Sequence, residues 1–195
     1  KIYLIMKIGL FFGSFNPIHI GHMIIANIVH QTTAMDQVWF VISPQNPAKA
    51  NKNLLHEFDR YDLVQAAIGG DYQFKVSDIE FNLPKPSYTV QTLTVMAEKY
   101  PDHEFHLIIG EDNLAALPRW KNYQLILENF GLIVYPRPNA PETELKDHKN
   151  VTLIDAPKMD ISATLIRRLI RENKSIKYLV PEIVRERIMA KKLFL

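Results

Sequence analysis

Two short stretches, Val38-Trp39-Phe40-Val41-Ile42 and Gly131-Leu132-Ile133-Val134-Tyr135, are apolar at every position rather than at every second one. A strand with one wet face alternates apolar and polar residues. One that is apolar throughout is covered on both faces, as in a parallel sheet sandwiched between helices. Apolar runs recur at 7–12, 37–43, 73–76, 104–109, 130–135 and 151–154, and helical patterns lie between them at 21–31, 57–68, 89–99, 123–128 and 163–172. That alternation predicts βαβ units and an α/β, doubly wound, mostly parallel sheet with helices on both faces. Segments 44–56 and 136–150 follow neither pattern and read as long loops, the second carrying three prolines, Pro136, Pro138 and Pro141. Loops beyond about 12 residues in a compact domain are often functional. From Pro181 to Leu195 the chain reads as a small C-terminal helical segment. Pro181 sits in its first turn beside Glu182, and Lys191 and Lys192 suit the negative end of its dipole.

At 195 residues, with no internal repeat or low-complexity stretch, the chain suits one domain. We take 6–195 as that domain, with Met6 as a natural start and 1–5 as an upstream extension. Cysteine is absent, which excludes disulfides, thiol catalysis and thiolate metal sites. A net charge of +2 is too small to point to nucleic acid as a partner. The apolar start is split by Lys7 and lacks a small-residue cleavage site, and no other run approaches the roughly 20 apolar residues of a membrane span. A cytoplasmic protein without a membrane partner is therefore expected, and a homo-oligomer is left open.

The chemistry concentrates at two places. After the first apolar run come Gly13-Ser14-Phe15-Asn16-Pro17 and then His19-Ile20-Gly21-His22, just ahead of an apolar helical run. Strand, glycine-containing turn and helix N-terminus together present backbone N–H groups and a positive dipole end to an anion. Histidines there are placed to hold phosphate oxygens, with Gly21 allowing close backbone approach. Two histidines three apart also share a helix face and suit a metal, but such a site needs a third ligand that the sequence does not supply nearby. The second place is Asp160-Ile161-Ser162-Ala163-Thr164-Leu165-Ile166-Arg167. Ser162 reads as an N-cap, Thr164 falls in the first turn, and Arg167 lies on the same face. Hydroxyl, helix N-terminus and guanidinium make a polyphosphate clamp.

Together these segments resemble, in order and at opposite ends of the chain, the (H/T)xGH and ISSTxxR signatures of the nucleotidyltransferase superfamily. Four further segments are similar to the bacterial nicotinate-nucleotide adenylyltransferases: Ser43-Pro44-Gln45-Asn46-Pro47-Ala48-Lys49, Pro86-Ser87-Tyr88-Thr89-Val90-Gln91-Thr92-Leu93, Ile109-Gly110-Glu111-Asp112 with Leu117-Pro118-Arg119-Trp120, and Tyr178-Leu179-Val180-Pro181. The likeness runs over essentially the whole chain. Where that family has FDP, ISST, an aspartate in PSYTxDTL and RPG, this chain has Phe15-Asn16-Pro17, Ile161-Ser162-Ala163-Thr164, Gln91 and Arg137-Pro138-Asn139. Asn139 can replace glycine at a left-handed turn.

The resemblance implies a Rossmann-like fold and adenylyl transfer from ATP to nicotinate mononucleotide, giving deamido-NAD and pyrophosphate. His19, His22 and Arg167 would be catalytic. Gly13, Ser14, Phe15, Gly110, Asp112, Ser162 and Thr164 would join them around ATP. Thr89 and Trp120 would form the nicotinate pocket. Lys49 would either reach a substrate phosphate or be a solvated loop lysine. Mg²⁺ would travel with ATP rather than occupy a dedicated protein site. Rival readings are an adenylyltransferase for nicotinamide mononucleotide or phosphopantetheine, a catalytically silent nucleotide-binding regulator, and a metal-dependent hydrolase using the histidine pair. Phosphopantetheine enzymes are usually shorter and lack the SYT and LxxW segments.

Overall fold

The computed structural model describes residues 5–44 and 54–195. Its strands are β1 (Lys7–Gly13), β2 (Gln37–Ile42), β3 (Phe74–Ser77), β4 (Glu104–Gly110), β5 (Gly131–Tyr135) and β6 (Val151–Leu153). They form one sheet in the order β3-β2-β1-β4-β5-β6, and every neighbouring pair is parallel. The helices are α1 (Ile20–Thr32), α2 (Glu57–Ile68), α3 (Thr89–Lys99), α4 (Glu111–Ala116), α5 (Tyr123–Asn129), α6 (Ala163–Arg171) and α7 (Glu182–Ala190).

The central strands have continuous apolar runs because alternate residues feed two different cores. Phe11, Val38, Phe40, Ile42, Ile108 and Ile133 face Ala26 and Val29 of α1, Leu63 and Val64 of α2, Ile166 and Ile170 of α6 and Val184 and Ile188 of α7. Their neighbours Leu10, Trp39, Val41, Leu107, Ile109, Leu132 and Val134 face Leu93 and Met96 of α3, Leu114 of α4 and Ile126 and Leu127 of α5. Each fully buried Leu or Ile of this kind contributes about 1.5–3 kcal/mol of transfer free energy.

From β1 the strand order runs outward in both directions, so the topology reverses between β1 and β4. In open parallel sheets the crevice beyond the strand ends at such a reversal is where ligands bind. The register pairs Phe11 with Ile108, which brings Gly13 and Gly110 level at the mouth of that crevice.

The expected strands and helices are present with ends shifted by a residue or two. The elements not anticipated are short: α4, and the 3₁₀ turns Ile79–Asn82, Leu117–Arg119 and Glu144–Asp147. One or two turns hold too few residues to show a 3.6-residue period. The turn at Glu144–Asp147, capped by Thr143 Oγ1 accepting from the Leu145 N–H at 3.3 Å, means that 136–150 is not the structureless loop expected. Of 44–56, only the flanks lie within the described residues.

The C-terminal helix also departs from expectation. Pro181 occupies the N-cap position rather than the first turn, and α7 stops at Ala190. Lys191 and Lys192 therefore lie beyond the last helical turn. Lys191 Nζ instead stands 3.5 Å from carboxylates of both Asp59 and Asp62 on α2, so it ties one helix to another. Among the described residues no helix is long and apolar enough to cross a membrane.

Candidate active site

β1 delivers the chain to the crevice, and the turn after Gly13 reverses it into α1. Phe15 makes this possible by adopting φ 44°, in the left-handed region. Its side chain is buried at 2% exposure and lies edge-on to His22, with ring centroids 5.0 Å apart. Phe15 thus supports the site with its ring, leaving only its backbone free to meet a ligand.

His19 is the N-cap residue of α1 and His22 its third position. The two imidazoles stack with centroids 3.7 Å apart. The His19 backbone N–H donates to His22 Nδ1 at 3.2 Å, so the proton of neutral His22 sits on Nε2. His19 Nδ1 is buried and has no hydrogen-bond partner among the described residues. Burial, then the Arg137 guanidinium, lowers the His19 pKa to about 4. Burial, the adjacent His19 ring and Arg137 hold His22 well below the usual histidine range. Near neutral pH, in the free protein, the pair is uncharged and can offer a ligand N–H donation rather than positive charge.

The distant second segment closes onto the first. Ser162 caps α6, its Oγ accepting from the Leu165 N–H at 3.2 Å, as its sequence position suggests. Arg167 donates through Nη2 to Thr164 Oγ1 at 3.3 Å and through Nη1 to the Asn16 carbonyl at 2.7 Å. A Cβ on Gly21 would stand 2.5 Å from Ile161 Cγ2 and 3.1 Å from His19 Nδ1. The glycine between the histidines thus admits Ile161 and the His19 ring, whereas the sequence suggested only close approach to a ligand. Asn16 takes up the turn where an aspartate is usual: its Oδ1 accepts from the Leu55 N–H at 3.1 Å.

Across the crevice, β4 ends at Gly110, where a Cβ would meet Asp112 Oδ1 at 2.5 Å and Arg137 Cγ at 2.8 Å. Arg137 is the site residue whose charge went unread in the sequence, where its segment was noted for its turn. Asn139 does adopt the left-handed φ of 55°. Arg137 reaches Asp112 Oδ1 at 3.8 Å through Nε and the Met159 carbonyl at 3.3 Å through Nη1, while its N–H donates to Glu111 Oε2 at 3.1 Å. The only prior signal for it was a cation directly after a core strand.

Thr89 opens α3. Trp120 follows the 3₁₀ turn at Leu117–Arg119, half-buried against the core on that face of the sheet. Lys121 Nζ lies 4.6 Å from the centre of the Tyr88 ring, so the segments carrying Trp120 and Thr89 are neighbours. Lys49 lies outside the described residues. Among those described, no group of three or more His, Asp or Glu is arranged to hold a metal ion.

Residues 10–169 match the family described as cytidylyltransferase-like. The chain is 58% identical to a probable nicotinate-nucleotide adenylyltransferase of Cytophaga hutchinsonii, over 97% of this chain and 98% of that protein. It is 43% identical to the protein of the same name from Bacteroides fragilis, over 94% of this chain and 91% of that one. Its fold matches that of Plasmodium falciparum nicotinic acid mononucleotide adenylyltransferase complexed with NaAD, with a TM-score of 0.82 at 20% identity and 97% of each chain covered. With a family model matched over residues 10–169 and relatives similar over nearly the full length of both chains, the chain belongs to the nicotinate-nucleotide adenylyltransferase family.

Proposed function

We infer that this chain transfers the adenylyl group of ATP to nicotinate mononucleotide, forming deamido-NAD and releasing pyrophosphate, in NAD biosynthesis. One observation carries the assignment of the site: Arg167 of the late segment donates to the Asn16 carbonyl of the early one at 2.7 Å. That bond joins the turn before the His19–His22 pair to α6, bringing both segments to one clamp at the reversal point.

In this reading a phosphate oxygen of the mononucleotide attacks the α-phosphorus of ATP, and the bond from that phosphorus to the β-phosphate oxygen breaks. The nucleophile is already an anion near neutral pH, so no strong base is needed, and the work is positioning and charge stabilisation. His22, with its proton on Nε2, donates to phosphate oxygens, and His19 stacks on it and shares the load. Arg167, Thr164 and the first turn of α6 hold the departing pyrophosphate. Gly13, Ser14 and the Phe15 backbone line the near wall. Asp112 accepts from ribose hydroxyls, with Gly110 leaving room for the sugar. Arg137 offsets the charge of Asp112 and adds positive potential beside the histidines. Thr89 and Trp120 receive the nicotinate ring and carboxylate of the acceptor. Mg²⁺ would come with the ATP substrate and supply charge neutralisation on its phosphates, with no dedicated protein ligands called on to hold it. Residues 6–195 act as the catalytic domain, in the cytoplasm.

The deciding experiment supplies ATP and Mg²⁺ with nicotinate mononucleotide, nicotinamide mononucleotide or phosphopantetheine in turn, and measures pyrophosphate and dinucleotide. Product is expected chiefly with the nicotinate compound. No product with any acceptor sinks the reading, and phosphate release without an acceptor would favour a hydrolase.

A further inference from the structure

Two ionisable residues outside this chemistry are almost completely buried: Arg60 at 0% exposure and Glu80 at 3%. Burying a charge costs several kcal/mol unless its hydrogen bonds are supplied. Both receive such bonds, and from the segments that shape the crevice. Arg60, on α2, donates from Nη1 to the carbonyls of Ser14 at 2.7 Å and Ser43 at 2.8 Å. Its Nη2 donates to the Pro44 carbonyl at 3.2 Å, and its Nε to that of Leu55 at 3.0 Å. No carboxylate forms an ion pair with it among the described residues. Because the peptide unit is planar and trans, fixing the Ser14 carbonyl also fixes the opposed N–H of Phe15 in the phosphate turn.

Glu80 sits in the 3₁₀ turn after β3 and gathers hydroxyls rather than cations. Thr92 Oγ1, on α3, donates to its Oε1 at 2.6 Å. The hydroxyls of Ser87 and Ser43 also face its carboxyl and favour its charged form against the burial that raises its pKa. Ser43 therefore serves both buried groups, offering its carbonyl to Arg60 and turning its hydroxyl to Glu80. The result is one continuous run of polar contacts: Ser14, Arg60, Ser43, Glu80, then Ser87 and Thr92. It starts in the turn that faces ATP and ends on both sides of Thr89, at the beginning of α3.

We propose that Arg60 and Glu80, joined through Ser43, are positioning residues that hold the ATP-phosphate turn and the acceptor-binding start of α3 at a fixed separation, and so set the line of attack on the α-phosphorus. This rests on the site reading above, with ATP at the β1–α1 turn and the acceptor at α3. Neither residue touches substrate. Their effect is on the alignment of two bound molecules, so it falls on kcat rather than on either KM.

The test measures kcat and both KM values for S43A, E80Q, the double variant S43A/E80Q and R60K, with H19A run alongside and melting temperatures recorded. S43A removes one hydroxyl and leaves the carbonyl that Arg60 holds. R60K keeps the charge but cannot span four carbonyls. Misplacement of about 1 Å costs on the order of 10²-fold in rate, so S43A and R60K should lose roughly 10- to 100-fold in kcat, with each KM within about threefold of wild type. The double variant should be no worse than the worse single one, because both changes cut the same link. Should E80Q fail to fold, T92V replaces it at the outer end of the run of contacts. Normal kcat with a lowered melting temperature would make the network plain scaffolding and overturn the proposal, as would fully additive losses. If H19A is inactive while S43A and R60K turn over normally, the strut falls and the site stands. If H19A itself turns over normally, the site reading falls and takes the strut with it.

Discussion

The two ends of the sheet each hold a buried histidine nitrogen with no hydrogen-bond partner among the described residues, His19 Nδ1 at one and His103 Nδ1 at the other. They differ in what surrounds them. At the end away from the crevice lies a cavity of about 420 Å³, lined in part by Pro101, His103, Glu104, Asn129 and Phe130. Helix α3 ends at Lys99 and α5 at Asn129, so the helices abutting this cavity present their carbonyl ends. Glu104 is already partnered, in hydrogen-bond contact with His106 at 2.9 Å and paired with Lys7 at 3.6 Å. His103 lies nearly parallel to Tyr100 and edge-on to Trp39, as a packing group would. The opposite end receives the starts of α1, α3, α4 and α6, with Arg137 and Arg167 beside them. In a parallel sheet every crossover helix begins at the same edge, so the field has a direction. For a polyanionic substrate that direction matters more than volume.

The comparison can be broken most forcefully at His19. The change His19→Ala should lower kcat by roughly 10²–10⁴, the range for removing a phosphate stabiliser; turnover near wild type would erase the distinction between the two ends. Trp120→Ala probes the acceptor side and should raise the KM for the mononucleotide by roughly 5- to 100-fold, as loss of a stacking partner does. Its KM for ATP should hardly move, and a selective loss of ATP affinity would reverse the assignment. Acid sensitivity sharpens the contrast further. His19 has its pKa lowered from 6.5 to about 4, so between those values the unfolded chain binds more protons than the native one. Stability should therefore rise with pH across that window and level off above it. Urea midpoints for His19→Gln should show a shallower rise than wild type; identical slopes would show that the ring is not held neutral. The smallest effect is expected from His103→Ala, with kcat and both KM values within about twofold of wild type. A large loss of turnover there would make that cavity the functional one.

Much of this architecture was legible before the structure. Strands serving two cores cannot hide, because both of their alternating faces must be apolar. The histidine pair and the Ser162 cap were readable for a different reason: cap, turn and hydroxyl lie within a few residues of one another. What escaped notice depended on distant neighbours. Arg60 and Glu80 are charged residues that a sequence reading assigns to solvent, and only tertiary packing supplies their carbonyls and hydroxyls. A faint sign existed for Arg60, which shares its helix face with the buried Leu63, Val64 and Ile68 and so occupies a position that the period reserves for an apolar side chain. Arg137 had less to give it away, since its partners Asp112 and Met159 come from two other segments. Lys191 shows the converse error: its charge looked like a helix-end device and proved to be a tie to α2.

The bond from Arg167 to Asn16 spans 151 positions of sequence. Loop closure on that scale is entropically costly and is repaid only after the intervening strands have paired. In the proposed reading, nucleotide affinity is therefore among the last properties the polypeptide acquires. A chain still emerging from the ribosome, with its early histidines already made, has no clamp to offer until α6 has docked. A ligand of that clamp engages the native state alone, so by mass action ATP bound there would stabilise the finished fold and not its precursors.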